Sequence, residues 1–288
     1  MYKAKEEGKN QYSFCTGEIK KDKKEEANIK TKIKTAIENG EMRIVYQPQV
    51  EIGTEKIIAM EALVRWENNE FGNIEPNQFI PIAENTGDIR KIGKWVMEEV
   101  MKQIKKWNQE DAINIPVAVN VSLEQMKAKD YPEEVIKLKE EYGIEDGQLE
   151  IELTESKGIT QNTAVIKALH QLKRNGIKIT MDDFGMEYST YNRVKRLPLD
   201  KIKIAKEMMG EMDKTAGDGA LLQSLVTMAK TLNVEIIAEG IEYAKQEEML
   251  RRANCNYAQG FYYYRPMEPE EVMEVITESN KVKVMEGV

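Results

Sequence analysis

The sequence is poor in the residues that build zinc centres and disulfide frameworks. It contains one histidine and two cysteines among 288 residues. The single histidine, His170, lies in a helical pattern, which is more typical of a structural residue than of a catalytic one. The sequence therefore argues against a histidine-rich zinc site and against a Ser-His-Asp triad. Cys15 and Cys255 lie far apart in the chain, which indicates reduced thiols.

Long hydrophobic runs are also missing. No apolar stretch is long enough to span a bilayer, and no secretory signal opens the sequence. We therefore expect a cytoplasmic protein in which this segment makes no direct membrane insertion. The hydrophobic content of 41% nevertheless supports a sizeable core.

Positive charge is in deficit, with a formal net charge of -8. Long nucleic acids are bound by clustered lysine and arginine, so we expect no long nucleic acid as a partner. A small anionic ligand stays compatible with the composition, because bound metal ions invert the sign of an acidic site.

The first 30 residues differ from the remainder. Met1–Phe14 contains an amphipathic helix pattern, a glycine stop and a short strand pattern without a core of its own. Thr16–Lys34 is a run of lysine and glutamate without an apolar stripe, which is typical of an exposed linker. We expect residues 1–30 to be the tail of an upstream domain plus a charged linker, and residues 31–282 to form one domain.

Strand and helix patterns alternate along that domain. Arg43–Val50 and Lys56–Trp66 predict an antiparallel hairpin that turns at Gly53. The strands predicted after it are Ile115–Val121, Gln148–Thr154, Ile177–Asp183, Leu199–Ile204, Val234–Ala238 and Tyr257–Phe261. The predicted helices are Asp88–Trp107, Tyr131–Tyr142, Thr163–Arg174, Ala220–Leu232, Lys245–Arg251 and Glu270–Thr277.

This alternation predicts an α/β fold with parallel strands joined by right-handed crossovers. The length suits a barrel of about eight strands. A doubly wound open sheet is the alternative, and the lack of a GxGxxG loop after the first strand weakens it.

Nearly every predicted strand carries a polar residue where a purely structural strand would be apolar. Each of these residues alone has an ordinary explanation as a solvated side chain. Together they fall where the carboxyl ends of barrel strands build an active site. Acids with one amide and one lysine favour Mg²⁺ or Mn²⁺ over zinc. These residues are Glu61, Asn120, Glu152, Asp182, Asp183, Lys203, Glu239 and Gln259.

At these positions the sequence resembles the EAL domains, which are phosphodiesterases specific for cyclic di-GMP. The resemblance runs from about Ile33 to Met273 and is carried by an ordered series of motifs. Met1–Phe14 resembles the closing segment of a GGDEF domain. The motifs are Tyr46-Gln47-Pro48, Glu61-Ala62-Leu63-Val64-Arg65-Trp66, Phe79-Ile80-Pro81-Ile82-Ala83-Glu84, Asn120-Val121-Ser122, Glu152-Leu153-Thr154-Glu155-Ser156, Asp182-Asp183-Phe184-Gly185, Ala238-Glu239-Gly240 and Gln259-Gly260-Phe261.

The resemblance implies a modified (β/α)₈ barrel, of the TIM type, whose first strand runs antiparallel to the others. It implies hydrolysis of cyclic di-GMP to linear pGpG by Mg²⁺ or Mn²⁺, with one or two ions per site, and a homodimer. Its metal ligands would be Glu61, Asn120, Glu152 and Asp182 for one ion, with Asp182 bridging to a second ion held by Asp183 and Glu239.

The resemblance also implies roles for further residues. Lys203 would act as general base or as a cation near the attacking water, together with Glu61 and with Glu155, which anchors the loop after Asp183. Gln47, Arg65 and Gln259 would contact the nucleotide.

Two departures from the family pattern bear on activity. Met186 and Glu187 replace a threonine and a glycine, and Ala205 replaces the aspartate that follows the lysine motif. Losing such a neighbour typically lowers activity about 10–100-fold. A receptor that binds cyclic di-GMP without hydrolysing it is therefore the alternative, and an interaction module that binds no nucleotide is a third hypothesis. We favour the enzyme, including a slow one, because a degenerate receptor is expected to lose metal ligands as well.

Overall fold

The computed structural model describes residues 26–110, 114–185, 194–211 and 218–286. The departure at Met186 and Glu187, and residues 1–25 of the expected tail, therefore lie outside the described residues. The chain divides into two compact units. The first consists of Met1–Met42 and Trp66–Ile89, and the second of Arg43–Arg65 and Arg90–Val288.

Strands and helices alternate along the described residues. The strands are β1 (Met42–Glu51), β2 (Ile57–Asn68), β3 (Gly72–Ile74), β4 (Val117–Asn120), β5 (Leu149–Thr154), β6 (Lys178–Phe184), β7 (Lys201–Ile204), β8 (Glu235–Ala238) and β9 (Tyr257–Ala258). The helices are α1 (Pro76–Thr86), α2 (Ile89–Glu110), α3 (Leu123–Met126), α4 (Tyr131–Tyr142), α5 (Lys157–Gln161), α6 (Thr163–Arg174), α7 (Lys206–Glu211), α8 (Asp218–Leu232), α9 (Ala244–Arg252) and α10 (Pro269–Glu286).

The second unit is a closed barrel. Its strands follow the order β1-β9-β8-β7-β6-β5-β4-β2, and a β1–β2 pairing closes the ring. Within this ring the neighbouring strands from β2 and β4 to β9 run parallel, whereas β1 pairs antiparallel with β9 through Val50 and Ala258. Strand β3 lies outside the ring and pairs antiparallel with β2. The predicted barrel with an antiparallel first strand is confirmed, and the open-sheet alternative is wrong.

The first unit is organised around Trp66. Its ring packs edge-on against Phe79 at 5.4 Å between centroids. The indole Nε1 and the Asn68 amide both donate to the Glu41 carboxylate, at 2.9 and 2.8 Å. Helix α1, which ends at Gly87 with a left-handed φ of 84°, belongs to this unit.

Sequence periodicity located most of the long elements. It gave α6 its observed limits, but it missed β3, α1, α3, α5 and α7. Four of these are too short to show a period, and α1 starts at Pro76 and contains Pro81, which argue against a helix interior. The last strand is shorter than predicted, because the chain turns after Gln259, where Tyr263 and Tyr264 both donate to the Gly260 carbonyl.

Helices of the described residues include none that is both long and apolar enough to cross a membrane.

Candidate metal centre

A lysine stands at the centre of the acids that end the barrel strands. Lys203 on β7 is fully buried. Its Nζ lies within ion-pair distance of carboxylates from four other positions around the barrel: Glu239 at 2.5 Å, Glu152 at 2.7 Å, Glu61 at 3.1 Å and Asp182 at 3.7 Å. The structure thus brings together residues that lie up to 178 positions apart in the sequence (239 minus 61).

The protonation state of Lys203 follows from these neighbours. Burial acts to lower the pKa of the ammonium, but Glu152, Glu239 and Glu61 outweigh it and raise the pKa well above its ordinary value. Lys203 is therefore a cation at neutral pH. The carboxylates also hold the side chain in place although Ala205 stands where the family has aspartate.

Amide side chains fix the carboxylate of Glu61. Asn120 Nδ2 donates to Oε1 at 2.6 Å, and Gln259 Nε2 donates to Oε2 at 2.6 Å. Gln259 Nε2 also contacts Gln47 Oε1 at 3.1 Å. Burial acts to raise the pKa of Glu61, but Lys203 and the amide donors outweigh it and hold the pKa below its ordinary value. Glu61 is thus present as the carboxylate.

A change of backbone conformation brings the adjacent aspartates together. Alternation along a strand would send Asp182 and Asp183 to opposite faces. In β6, however, Asp183 has a left-handed φ of 52°, its N–H donates to Asp182 Oδ1 at 2.8 Å, and the pairing with β7 is irregular between Met181 and Phe184. Carboxylate oxygens of Asp182, Asp183 and Glu239 consequently lie within 4.8 Å of one another.

Crowding of these acids shows in their pKa values. Burial, with the charges of Asp182 and Glu207, raises the pKa of Asp183 to about 6. Burial raises the pKa of Glu239 to about 8, although Lys203 opposes the rise. The charges of Asp182 and Glu61 add to the effect of burial. The arrangement therefore holds more negative charge than Lys203 balances.

The residues fit a hard divalent cation. Glu152 is fully buried, and its Oε1 has no hydrogen-bond partner among the described atoms. Burial, with Glu61, Asp182 and Glu150 adding to it, raises the pKa of Glu152 well above its ordinary value despite Lys203. Mg²⁺ and Mn²⁺ bind oxygen ligands such as carboxylates, and they supply the positive charge that a crowded set of acids lacks. The acidic cluster is able to hold a metal ion.

A cavity of about 240 Å³ opens beside these acids. Predicted residues that line it are Gln47, Glu61, Asp182, Glu239 and Gln259. Lys206, Gly240, Glu242, Gly260 and Phe261 also line it. Sequence reasoning missed Lys206 and Glu242, and it quoted Gly240, Gly260 and Phe261 as motif residues without giving them a site role. Their positions directly after β7, β8 and β9 were the available signal, because loops at the carboxyl ends of barrel strands build the site.

Six predicted residues are not part of the cavity lining: Glu152, Asp183 and Lys203, whose contacts are given above, and Arg65, Asn120 and Glu155. Arg65, four residues after Glu61 on β2, is half-buried, and its Nη1 donates to the Val64 carbonyl at 2.9 Å. Asn120 is exposed, and its Nδ2 donates to the Glu61 carboxylate. Glu155 accepts the Gly185 N–H at 2.9 Å, so it supports the end of β6.

Fold and site together define a barrel protein with a cluster of oxygen donors, able to hold a metal ion, at the carboxyl ends of its strands. The chain belongs to the EAL domain family, whose family model matches residues 30–266.

Named relatives agree with this assignment. The bifunctional diguanylate cyclase/cyclic di-GMP phosphodiesterase MucR of Pseudomonas aeruginosa is 35% identical over 273 residues, which is 95% of this chain and 40% of MucR. The cyclic di-GMP phosphodiesterase PdeR of Escherichia coli is 34% identical over 267 residues, 93% of this chain and 40% of PdeR. The chain therefore spans well under half the length of these relatives.

Solved structures share the fold. The PaMucR phosphodiesterase in complex with c-di-GMP superposes with a TM-score of 0.81 at 35% identity, covering 85% of this chain and 99% of that one. The FimX EAL domain of Pseudomonas aeruginosa, bound to c-di-GMP, gives a TM-score of 0.73 at 19% identity, covering 83% of this chain and 96% of that one, and shows the fold alone.

Proposed function

We propose that this domain hydrolyses cyclic di-GMP to linear pGpG in second-messenger signalling, using Mg²⁺ or Mn²⁺. The observation that carries the proposal is the set of acids around Lys203, in which Glu152 Oε1 is buried and has no hydrogen-bond partner among the described atoms. The names of MucR and PdeR support the substrate.

The donor set suggests how ions would be held. Glu61, Asn120, Glu152 and Asp182 would hold one ion, and Asp183 and Glu239 a second one, with Asp182 shared between them. Bound divalent ions would neutralise phosphate charge and lower the pKa of a coordinated water toward neutrality.

The chain's own groups complete the reaction. In the hydrolysis, a water oxygen forms a bond to phosphorus and loses a proton, the bond from phosphorus to a ribose 3′ oxygen breaks, and that oxygen takes up a proton to become the 3′ hydroxyl of pGpG. Lys203, whose ammonium is buried among these carboxylates, would serve as a fixed cation that stabilises negative charge. Gln47 and Gln259 line the cavity and would orient the nucleotide, while Arg65 would reach a phosphate from the side of β2.

Further expectations belong to the same proposal. Glu155 would keep the end of β6 in place through Gly185. Residues 31–282 would form the EAL barrel domain and residues 1–30 the tail and linker of a GGDEF-like domain. We propose a cytoplasmic homodimer, and light scattering that shows a monomer at every concentration would remove the dimer.

The test is incubation of the purified protein with cyclic di-GMP and Mn²⁺, followed by anion-exchange chromatography of the product. We expect pGpG from the wild type and none from Glu61→Ala, which loses the carboxylate between Lys203 and the amides. Glu248→Ala, at an exposed glutamate on α9 that pairs with Arg252 and does not line the cavity, is the matched control and should keep full activity. Nucleotide binding without any product would reject the enzyme in favour of the receptor.

A further inference from the structure

The barrel interior holds a second polar layer beneath the metal centre. We define the upper layer as Gln47, Glu152, Asp182 and Lys203, and the lower layer as Gln49, Glu150, Thr180 and Lys201. On β5, β6 and β7 the lower residue precedes the upper one by two positions, which keeps both on the same face of the strand. On β1 the lower residue follows by two, because β1 runs in the opposite direction.

The lower layer contains an ion pair. Lys201 Nζ lies 3.0 Å from each oxygen of Glu150 and 3.2 Å from Gln49 Oε1. Thr180 Oγ1 donates to Glu150 Oε1. All four residues are buried, with Glu150 exposed by only 1% and Lys201 by 3%. The three donor protons of Lys201 are thus matched by three acceptor contacts.

The role of this pair does not follow from stability alone. Replacing a buried ion pair by apolar residues is often neutral, so burial of Glu150 and Lys201 is weak evidence for a stabilising role. What distinguishes this pair is its place. Lys201 lies two residues before Lys203 on β7, so both side chains point into the barrel, where the acids of the upper layer lie. The charge of Glu150 also contributes to the raised pKa of Glu152.

A lysine side chain is long and flexible, and its charge is drawn to the strongest negative potential in reach. Without Glu150, the carboxylates of the upper layer, two positions along the strands on the same inward face, become targets for Lys201. There, Glu152 Oε1 has no hydrogen-bond partner among the described atoms and is buried beside the other acids. An ammonium at that oxygen would occupy a donor that a divalent cation needs.

We propose that Glu150 is a positioning residue that retains Lys201 in the lower layer and thereby keeps Glu152 Oε1 free for a divalent ion. This inference rests on the proposed metal-dependent function. It assigns a role to a lysine and an acid that contact neither the cavity nor the metal ligands directly.

The test is a double-mutant cycle read out by Mn²⁺ binding, measured by electron paramagnetic resonance of the free ion. Glu150→Gln leaves Lys201 unpaired, and we expect its Mn²⁺ dissociation constant to rise about 10–100-fold, as for other residues that orient metal ligands. The double variant Glu150→Gln/Lys201→Met removes the competing ammonium, and its affinity should return to within about threefold of the wild type. Unchanged affinity in Glu150→Gln would overturn the inference.

The double variant also decides the matter if Glu150→Gln does not fold. A purely structural pair predicts that losing both partners weakens binding at least as much as losing one, so a loss of tenfold or more in the folded double variant would overturn the inference. Melting curves followed by circular dichroism establish folding for each protein. A wild type that binds no Mn²⁺ would contradict the proposed function as well, whereas wild-type binding with an unaffected Glu150→Gln contradicts this inference alone.

Discussion

Removing the charge of Lys203 should destabilise the metal-free barrel in a pH-dependent way. Lys203→Met keeps the length of the side chain but leaves the carboxylates of Glu61, Glu152 and Glu239 without their shared cation. Breaking a buried ion pair by removing one partner typically costs about 3–5 kcal/mol. We expect a loss of that size in the free energy of unfolding at pH 8 in the presence of EDTA.

The pH dependence follows from proton uptake. An acid whose pKa is higher in the folded than in the unfolded state contributes most stability at low pH, and this contribution is lost as pH rises toward the folded pKa. In the wild type, Lys203 opposes burial and helps to hold the pKa of Glu61 below its ordinary value, so Lys203→Met lets burial raise that pKa and the folded variant takes up a proton that the wild type does not bind. For one extra proton bound, the stability of the variant should fall by about 2.7 kcal/mol more than that of the wild type between pH 6 and pH 8.

Urea titrations of both proteins in EDTA at pH 6, 7 and 8 measure this difference, and Lys245→Met on α9 is a control for losing a lysine elsewhere. A variant that is as stable as the wild type at pH 8, or whose deficit is the same at all three values, would refute the electrostatic account of the acid layer.

Three further predictions concern the same region. Mn²⁺ affinity should rise from pH 6 to pH 8, because Asp183 and Glu239 must release protons before they bind the ion. The rise should be up to about tenfold per pH unit for each proton displaced. An affinity that does not change with pH in Mn²⁺ titrations would argue against these two ligands. In urea titrations, Asp183→Gly should have a free energy of unfolding about 1 kcal/mol higher than that of Asp183→Ala, because glycine adopts the φ of 52° without strain. Both variants should lose Mn²⁺ affinity. Equal stability of the two variants would contradict the strain at this position. Gly260→Ala places a Cβ 2.2 Å from the Ile241 carbonyl oxygen and should lower the free energy of unfolding by about 1–3 kcal/mol. Gly219→Ala is the control, because a Cβ at Gly219 meets open space and should not destabilise the protein. Equal melting temperatures of the two variants would reject the clash at Gly260.

Much of the fold was predictable because its signals are local. Periodicity and turn residues gave the alternation of strands and helices, and the odd direction of β1 followed from the hairpin at Gly53. The short helices α3, α5 and α7 were not predictable, because a segment of about one turn is held by tertiary contacts and carries too few residues to show a period.

The site was predictable in its membership but not in its geometry. Glu61, Glu152 and Lys203 stand out as charges inside apolar strands, and barrel topology brings such positions together. The left-handed conformation of Asp183 had no local signal, since aspartate only tolerates it and β6 imposes it through its irregular pairing. The sequence also suggested that Ala205 leaves Lys203 without an orienting partner, whereas four carboxylates orient it.

The central claim is that the acid layer makes this domain a metal-dependent phosphodiesterase. The most direct measurement is the initial rate of pGpG formation from cyclic di-GMP by metal-stripped protein as Mn²⁺ is added back. We expect no product in EDTA, a rate that saturates with Mn²⁺, and no rate at any Mn²⁺ concentration in Glu152→Gln. Product formation that is independent of Mn²⁺, or a Glu152→Gln variant as active as the wild type, would contradict the claim.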